Sequence, residues 1–225
     1  MGYPSGCDMP WKVPKKLWKD ETVFVLGSGP SIKNLVGKMD LFKNRKVIAV
    51  HDAFLLDSSG FYTDVLFIGD ARFYWENETR RKIVDKFAGL KVSSNIQVVN
   101  KWDTLEGRSD IKIVDIVWKK PGLFTGLRDT IYYNGGAGNA AISLVANLGA
   151  KKIILYGFDC KFTHGRLHHF PSIHEKSSQI KVWSEGRIWD GILKDAKRHN
   201  IEIVNTTPDS DLEYVKKVNL KDYLK

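Results

Sequence analysis

At 225 residues the chain is long enough for one substantial core, and its 43% hydrophobic content excludes a disordered chain. Its net charge of +9 suits a basic surface or an anionic ligand. No helix-turn-helix, zinc-finger or ribonucleoprotein signature accompanies that charge, so sequence-specific nucleic-acid binding is not expected.

Residues 1–20 form a basic arm with Pro, Lys and Trp and no apolar centre of the kind a signal peptide needs. No later run approaches the length of a membrane span. Cys7 lies in the arm and Cys160 at a strand end, an arrangement that argues against a structural disulfide and for a cytoplasmic protein. Residues 21–225 are expected to form a single domain.

Strand Thr22–Leu26 opens that domain and runs into Gly27-Ser28-Gly29-Pro30-Ser31. Gly27 and Gly29 match the first two glycines of a dinucleotide fingerprint, but Ile32 stands where the third would be. Pro30 suits the first position of a helix, and Ser31 can cap it or donate to an anion. A helix over Ser31–Met39 follows, interrupted by Gly37. Asp52 and Asp70 stand just past strands Lys46–Val50 and Val65–Ile68, and a helix is expected over Phe73–Phe87. Its aromatics, Phe73, Tyr74 and Trp75, read as packing residues. Strands are expected at Ile96–Val99 and Ile111–Val114. The stretch 102–132 has poor periodicity and contains Pro121-Gly122, which reads as an irregular insertion.

The second glycine-rich turn is Asn134-Gly135-Gly136-Ala137-Gly138-Asn139, before a small-residue helix over Ala140–Leu148. Gly149 caps that helix, and strand Lys152–Tyr156 begins at once. A loop near 158–176 carries Asp159 and the histidines His164, His168, His169 and His174. A helix over roughly Ser178–His199 and a strand over Ile201–Val204 complete the domain.

The alternation of apolar strands and helices predicts an α/β fold: a Rossmann-like, doubly wound, mostly parallel sheet with helices on both faces. A turn that ends a strand and opens a helix offers free N–H groups and a positive helix end to an anion. Two such turns point to a nucleotide or nucleotide-sugar held by Gly27, Ser28, Gly29, Pro30 and Ser31 on one side. Gly136, Ala137, Gly138 and Asn139 stand on the other. Asp52, Asp70 and Asp159 all lie at the carboxyl rim of the sheet, where open α/β folds bind ligands. They could bind ribose, hold Mg²⁺ against phosphates, or simply cap turns. The loop histidines match no zinc spacing, so no metal site is expected of them; one of them could take a proton from an attacking hydroxyl.

Val23 to Leu35, VFVLGSGPSIKNL, resembles the N-terminal signature of bacterial lipooligosaccharide sialyltransferases and of the related motility accessory factors. That wider group includes 6-hydroxymethylpterin diphosphokinases and many phage-encoded proteins of unassigned role. Asn134 to Asp159 is similar to the same group, as is Ile192 to Pro208, so the likeness spans about half the chain. It implies that the two turns clasp a cytidine nucleotide (a CMP-sugar or other nucleotide-sugar). It also implies that a histidine in or just beyond the loop after Asp159 acts as general base toward an acceptor glycan or other hydroxyl. The asparagines that the sialyltransferase branch carries after its second and third strands are replaced here near His51-Asp52 and Gly69-Asp70, and its loop tyrosines by Lys161, Phe162 and histidines. The histidine-bearing phage proteins look nearer. The leading expectation is a glycosyltransferase. The alternatives are a Mg²⁺-dependent diphosphokinase, the one case that needs the metal, and a non-catalytic nucleotide-binding or phage–host interaction protein.

Overall fold

The computed structural model describes residues 10–75, 77–94, 108–118, 120–170, 180 and 184–224. Among the described residues, eight parallel strands make one sheet: β1 Thr22–Leu26, β2 Lys46–Val50, β3 Val65–Ile68, β4 Leu90–Ser94, β5 Ile111–Trp118, β6 Thr130–Tyr133, β7 Lys152–Tyr156 and β8 Glu202–Asn205. Their order is β6-β5-β4-β3-β2-β1-β7-β8. The chain therefore winds outward from β1 to one edge and then returns to add β7 and β8 on the other side. β1 pairs with β2 from Val23 opposite Lys46 and with β7 from Thr22 opposite Lys152. The switch of winding direction falls between β1 and β7, the place where such sheets leave a crevice at their carboxyl ends.

The central strands are near-continuous apolar runs because both their faces are covered. Val23, Val25, Ile48, Phe67, Ile153 and Leu155 face one layer, built by α3 (Ala137–Asn147) and α4 (Gly186–Arg198). Phe24, Leu26, Val47, Leu66 and Ile154 face the other. That layer contains α1 (Arg72–Trp75), α2 (Glu78–Lys86) and the 3₁₀ segments Pro30–Leu35, Met39–Phe42 and His51–Asp57. The fold is thus the doubly wound α/β sheet expected, with helical segments on both faces.

The elements differ from expectation in four places, each with a local cause. Pro30–Leu35 is a 3₁₀ segment ending at Val36, because Gly37, at φ +71°, breaks the turn. The Phe73–Phe87 helix is two helices, the second starting from Asn77, whose side chain accepts from the Arg80 amide. β4 occupies Leu90–Ser94, while the expected strand Ile96–Val99 lies outside the described residues. The stretch read as an irregular insertion holds all of β5, which extends the strand expected at Ile111–Val114, and all but the last residue of β6; the two pair in register from Asp115 opposite Thr130.

Among the described residues no helix is long and apolar enough to cross a membrane.

Candidate functional site

The two glycine-rich turns meet on one aromatic ring. A Cβ placed on Gly27 would lie 3.1 Å from Phe158 Cδ2, and one on Gly138 would lie 2.8 Å from Phe158 Cε1. Phe158 follows β7 and is 8% exposed. It forms a floor against both turns and limits the space for a side chain at position 138, while at position 27 the Gly157 carbonyl oxygen, 2.6 Å from a Cβ, is the closer obstacle. α3 reaches this position because Gly69, after β3, leaves room for it: a Cβ there would sit 2.3 Å from that of Ala137.

The first turn is latched to β7. The amide of Gly27 donates to Tyr156 O and that of Gly29 to Gly157 O, at 2.7 and 3.0 Å. The Asp159 carboxylate accepts from the Ser31 amide at 3.0 Å and from the Ser31 hydroxyl at 2.8 Å. Pro30 has no N–H. The turn's amides at 27, 29 and 31 are thus engaged within the protein, and Asp159 occupies the place at the start of the 3₁₀ segment that an external anion would take. Burial is the largest influence on Asp159 and raises its pKa; the bonds from Ser31 and the charge of Lys161 oppose it.

The second turn has a different structure. Gly136, in extended conformation, is the N-cap of α3, with no side chain capping the helix. The first intrahelical bond runs from the Ala140 amide to Gly136 O. The amides of Ala137, Gly138 and Asn139 precede it and have no partner within the helix, so the positive end of an 11-residue helix faces the rim. Asn139 folds back, its Nδ2 donating to Asn134 O at 2.9 Å. Asn134 Nδ2 donates to Gly122 O at 3.0 Å, while its buried Oδ1 has no hydrogen-bond partner among the described residues.

The histidine loop closes on the first turn. Ser28 Oγ and His168 Nδ1 are 2.9 Å apart, and the His169 amide donates to Ser28 O at 3.0 Å. Burial and the positive charges of Lys33 and Arg166 lower the His169 pKa, so that ring is neutral at neutral pH. His164 lies in the turn between Thr163 and Arg166, exposed and away from these contacts. His174 lies outside the described residues.

All three rim aspartates have protein partners. Arg80 Nε donates to Asp52 Oδ1 at 2.8 Å, a pair whose side chains are 13% and 7% exposed. Asp52 is nonetheless raised in pKa, because burial outweighs the arginine. Asp70 is held by Arg72 at 2.5 Å and is lowered: burial pushes it up, but the bonds and charge of Arg72 prevail. Mg²⁺ would have to compete with two guanidiniums and the Ser31 pair. Among the described residues no three His, Cys, Asp or Glu side chains are grouped to hold a metal.

Three residues at the rim were not singled out as site residues from sequence. His51 has φ +48°, stacks on Phe73 with centroids 4.9 Å apart, and accepts from the Gly69 amide through Nε2 at 2.9 Å. Phe158 forms the floor. Thr207, after β8, accepts from the Phe158 amide at 3.0 Å and fixes that floor in place. Their positions just past strand ends were the available signal; the contacts themselves span distant parts of the chain.

No family model and no curated protein sequence matches the chain. The chain is similar to a solved structure, the sialyltransferase CstII from Campylobacter jejuni in complex with a substrate analogue, cytidine-5'-monophosphate. The match has a TM-score of 0.52 at 14% identity and covers 88% of this chain and 85% of that one. The two proteins share a fold.

Proposed function

We propose that this protein is a nucleotide-sugar-dependent glycosyltransferase whose site lies at the carboxyl rim between β1, β7 and the start of α3. One observation carries the reading: the open N-terminus of α3 and a tethered histidine, His168, converge on the same first turn through Phe158 and Ser28. Support comes from the shared fold with a sialyltransferase bound to a cytidine nucleotide.

In this reading the leaving phosphate sits against the amides of Ala137, Gly138 and Asn139, where developing negative charge is stabilised by a fixed positive helix end. Asn134 Oδ1 offers a buried acceptor for a ligand hydroxyl or amine. Ser28 orients His168, whose imidazole takes the proton from the acceptor hydroxyl as that oxygen attacks the sugar. Asp52 and Asp70, each held by an arginine, shape the rim.

Calorimetric titration with CMP and other nucleoside monophosphates, followed by turnover of the matching nucleotide-sugar, tests this. CMP or a related nucleotide should bind with Kd below ~1 mM. His168→Ala should leave that affinity in place while lowering kcat by ~10²–10⁴-fold. Full turnover by the variant would remove His168 from the chemistry. Absence of binding by any nucleotide or nucleotide-sugar would overturn the reading as a whole.

A further inference from the structure

A cavity of about 720 Å³ opens on the other face of the sheet from α3. Its walls are the β1–β2 connection and the chain after β8. The body of the cavity is apolar: Leu35, Leu41, Val218, Leu220 and Leu224 line it, with Tyr156 at its base. Leu35 and Tyr156 belong to the hydrophobic cluster opposite the one that contains Phe158. The cavity is therefore separate from the rim site, although Tyr156 and Thr207 border both regions.

The polar part of its lining is one-sided in charge. Three lysines, Lys38, Lys217 and Lys221, line the cavity against a single aspartate, Asp209. Lys38 Nζ donates to Asn34 O at 3.0 Å and Lys217 Nζ to Ser210 O at 2.5 Å. These acceptors are main-chain carbonyls, which orient an ammonium group without neutralising it. Among the described residues no carboxylate forms an ion pair with any of the three lysines. Elsewhere on this basic surface some lysines do find a carboxylate, for example Lys46 with Asp64 and Lys152 with Glu202. An open, apolar groove of ligand size whose lining includes three unneutralised cations matches a small molecule with an apolar body and an anionic end.

We infer that this cavity binds a small amphipathic anion, its ring or short aliphatic part against the leucines and its phosphate or carboxylate between Lys38, Lys217 and Lys221. This site stands independently of the transferase reading: none of its lining residues is proposed to contact the nucleotide, although Thr207 also holds the Phe158 floor.

Phenyl phosphate, benzoate, inorganic phosphate and benzyl alcohol are the probes, titrated into the full chain by calorimetry with and without saturating CMP. Phenyl phosphate or benzoate should bind at least ~10-fold more tightly than inorganic phosphate or benzyl alcohol, since each of the latter lacks one half of the recognition. Which of the two anions binds better identifies the head group. The double variant Lys38→Gln/Lys221→Gln should weaken that binding by at least ~10-fold and leave CMP binding unchanged. It keeps Lys217, whose bond to Ser210 holds the tail. Equal affinity in the double variant, binding of inorganic phosphate as tight as that of phenyl phosphate, or displacement of phenyl phosphate by CMP would each overturn the inference.

Discussion

The two glycine-rich turns look alike in sequence and differ in what their amides do. In the first, Gly27, Gly29 and Ser31 give their N–H groups to β7 and to Asp159. In the second, the amides of Ala137, Gly138 and Asn139 stand ahead of the first intrahelical bond of α3. A glycine-rich βα turn can thus be a latch or a cradle. What decides is whether a neighbouring strand end supplies acceptors: Gly157 O and the Asp159 carboxylate supply them to the first turn.

The largest effect should come from breaking the latch. Gly29 has φ −63° and ψ 164°, a conformation that alanine adopts freely, so backbone strain is not the issue. Space is: a Cβ would lie 2.2 Å from Asp159 Oδ2 and 2.6 Å from Gly157 O. One neighbour is backbone and the other a buried, bonded carboxylate, and neither can yield cheaply. Gly29→Ala should cost ~3–4 kcal/mol in urea unfolding. A variant as stable as the parent would show that the turn is free to move away from β7.

Asp159 sharpens the same comparison. Asp159→Ala strands the Ser31 amide and hydroxyl in a buried place and should cost ~2–3 kcal/mol. Asp159→Asn keeps an oxygen that accepts from the Ser31 amide, lets its Nδ2 donate to the Ser31 hydroxyl in place of accepting from it, and loses a charge that burial already disfavours, so it should cost under ~1 kcal/mol at neutral pH. The pH dependence follows from the direction of the shift. The native carboxyl binds its proton more readily than the unfolded one, whose ordinary value is 3.8. Its contribution to stability therefore falls as pH rises from 3.8 through the raised native value, and is restored as pH falls back. Asp159→Asn should remove that decline when unfolding midpoints are compared between about pH 4 and pH 7. An unchanged pH profile would mean that the carboxyl is not desolvated in the latch.

Gly138→Ala probes the cradle. The new methyl would meet the Phe158 ring at 2.8 Å, but a ring can tilt, and alanine is worth ~1 kcal/mol more than glycine within a helix. The two effects offset, and stability should change by less than ~1 kcal/mol. Nucleotide affinity, by contrast, should fall by ~10-fold or more, because the floor between the turns has moved. Loss of stability without loss of affinity would reverse the roles given to the two turns.

The sheet was legible because its strands are short apolar runs bounded by glycine, aspartate or asparagine. Val23 to Leu26 and Ile153 to Tyr156 admit little else. β6 was hidden because Thr130–Tyr133 lies among Pro121, Gly122 and Gly126 and has only four residues. The rim was legible at the level of which residues follow strand ends. Its partners were not, because they come from far along the chain: Ser31 and Asp159 are 128 residues apart, Asp52 and Arg80 28, Ser28 and His168 140. Spacing along a sequence reports on local turns and helix faces; it has no information about which loops the sheet order brings to the same corner.

Ser28 belongs to both halves of the comparison, and its removal is the finest test. Its backbone O accepts from the His169 amide, a bond that Ser28→Ala retains, while its hydroxyl bonds His168 Nδ1. The variant should therefore fold normally and lose under ~1 kcal/mol of stability. If the hydroxyl serves only packing, kcat and KM should both stay near their parental values. If it orients the imidazole, kcat should drop by roughly 10-fold at unchanged nucleotide Kd, and the pH profile of kcat should shift as the His168 ring loses its bond to Ser28. Ser28→Thr, which restores a hydroxyl at the same position, should recover most of that loss. A fall in kcat that threonine does not rescue and that leaves the pH profile in place would mean that the turn transmits its effect through the backbone.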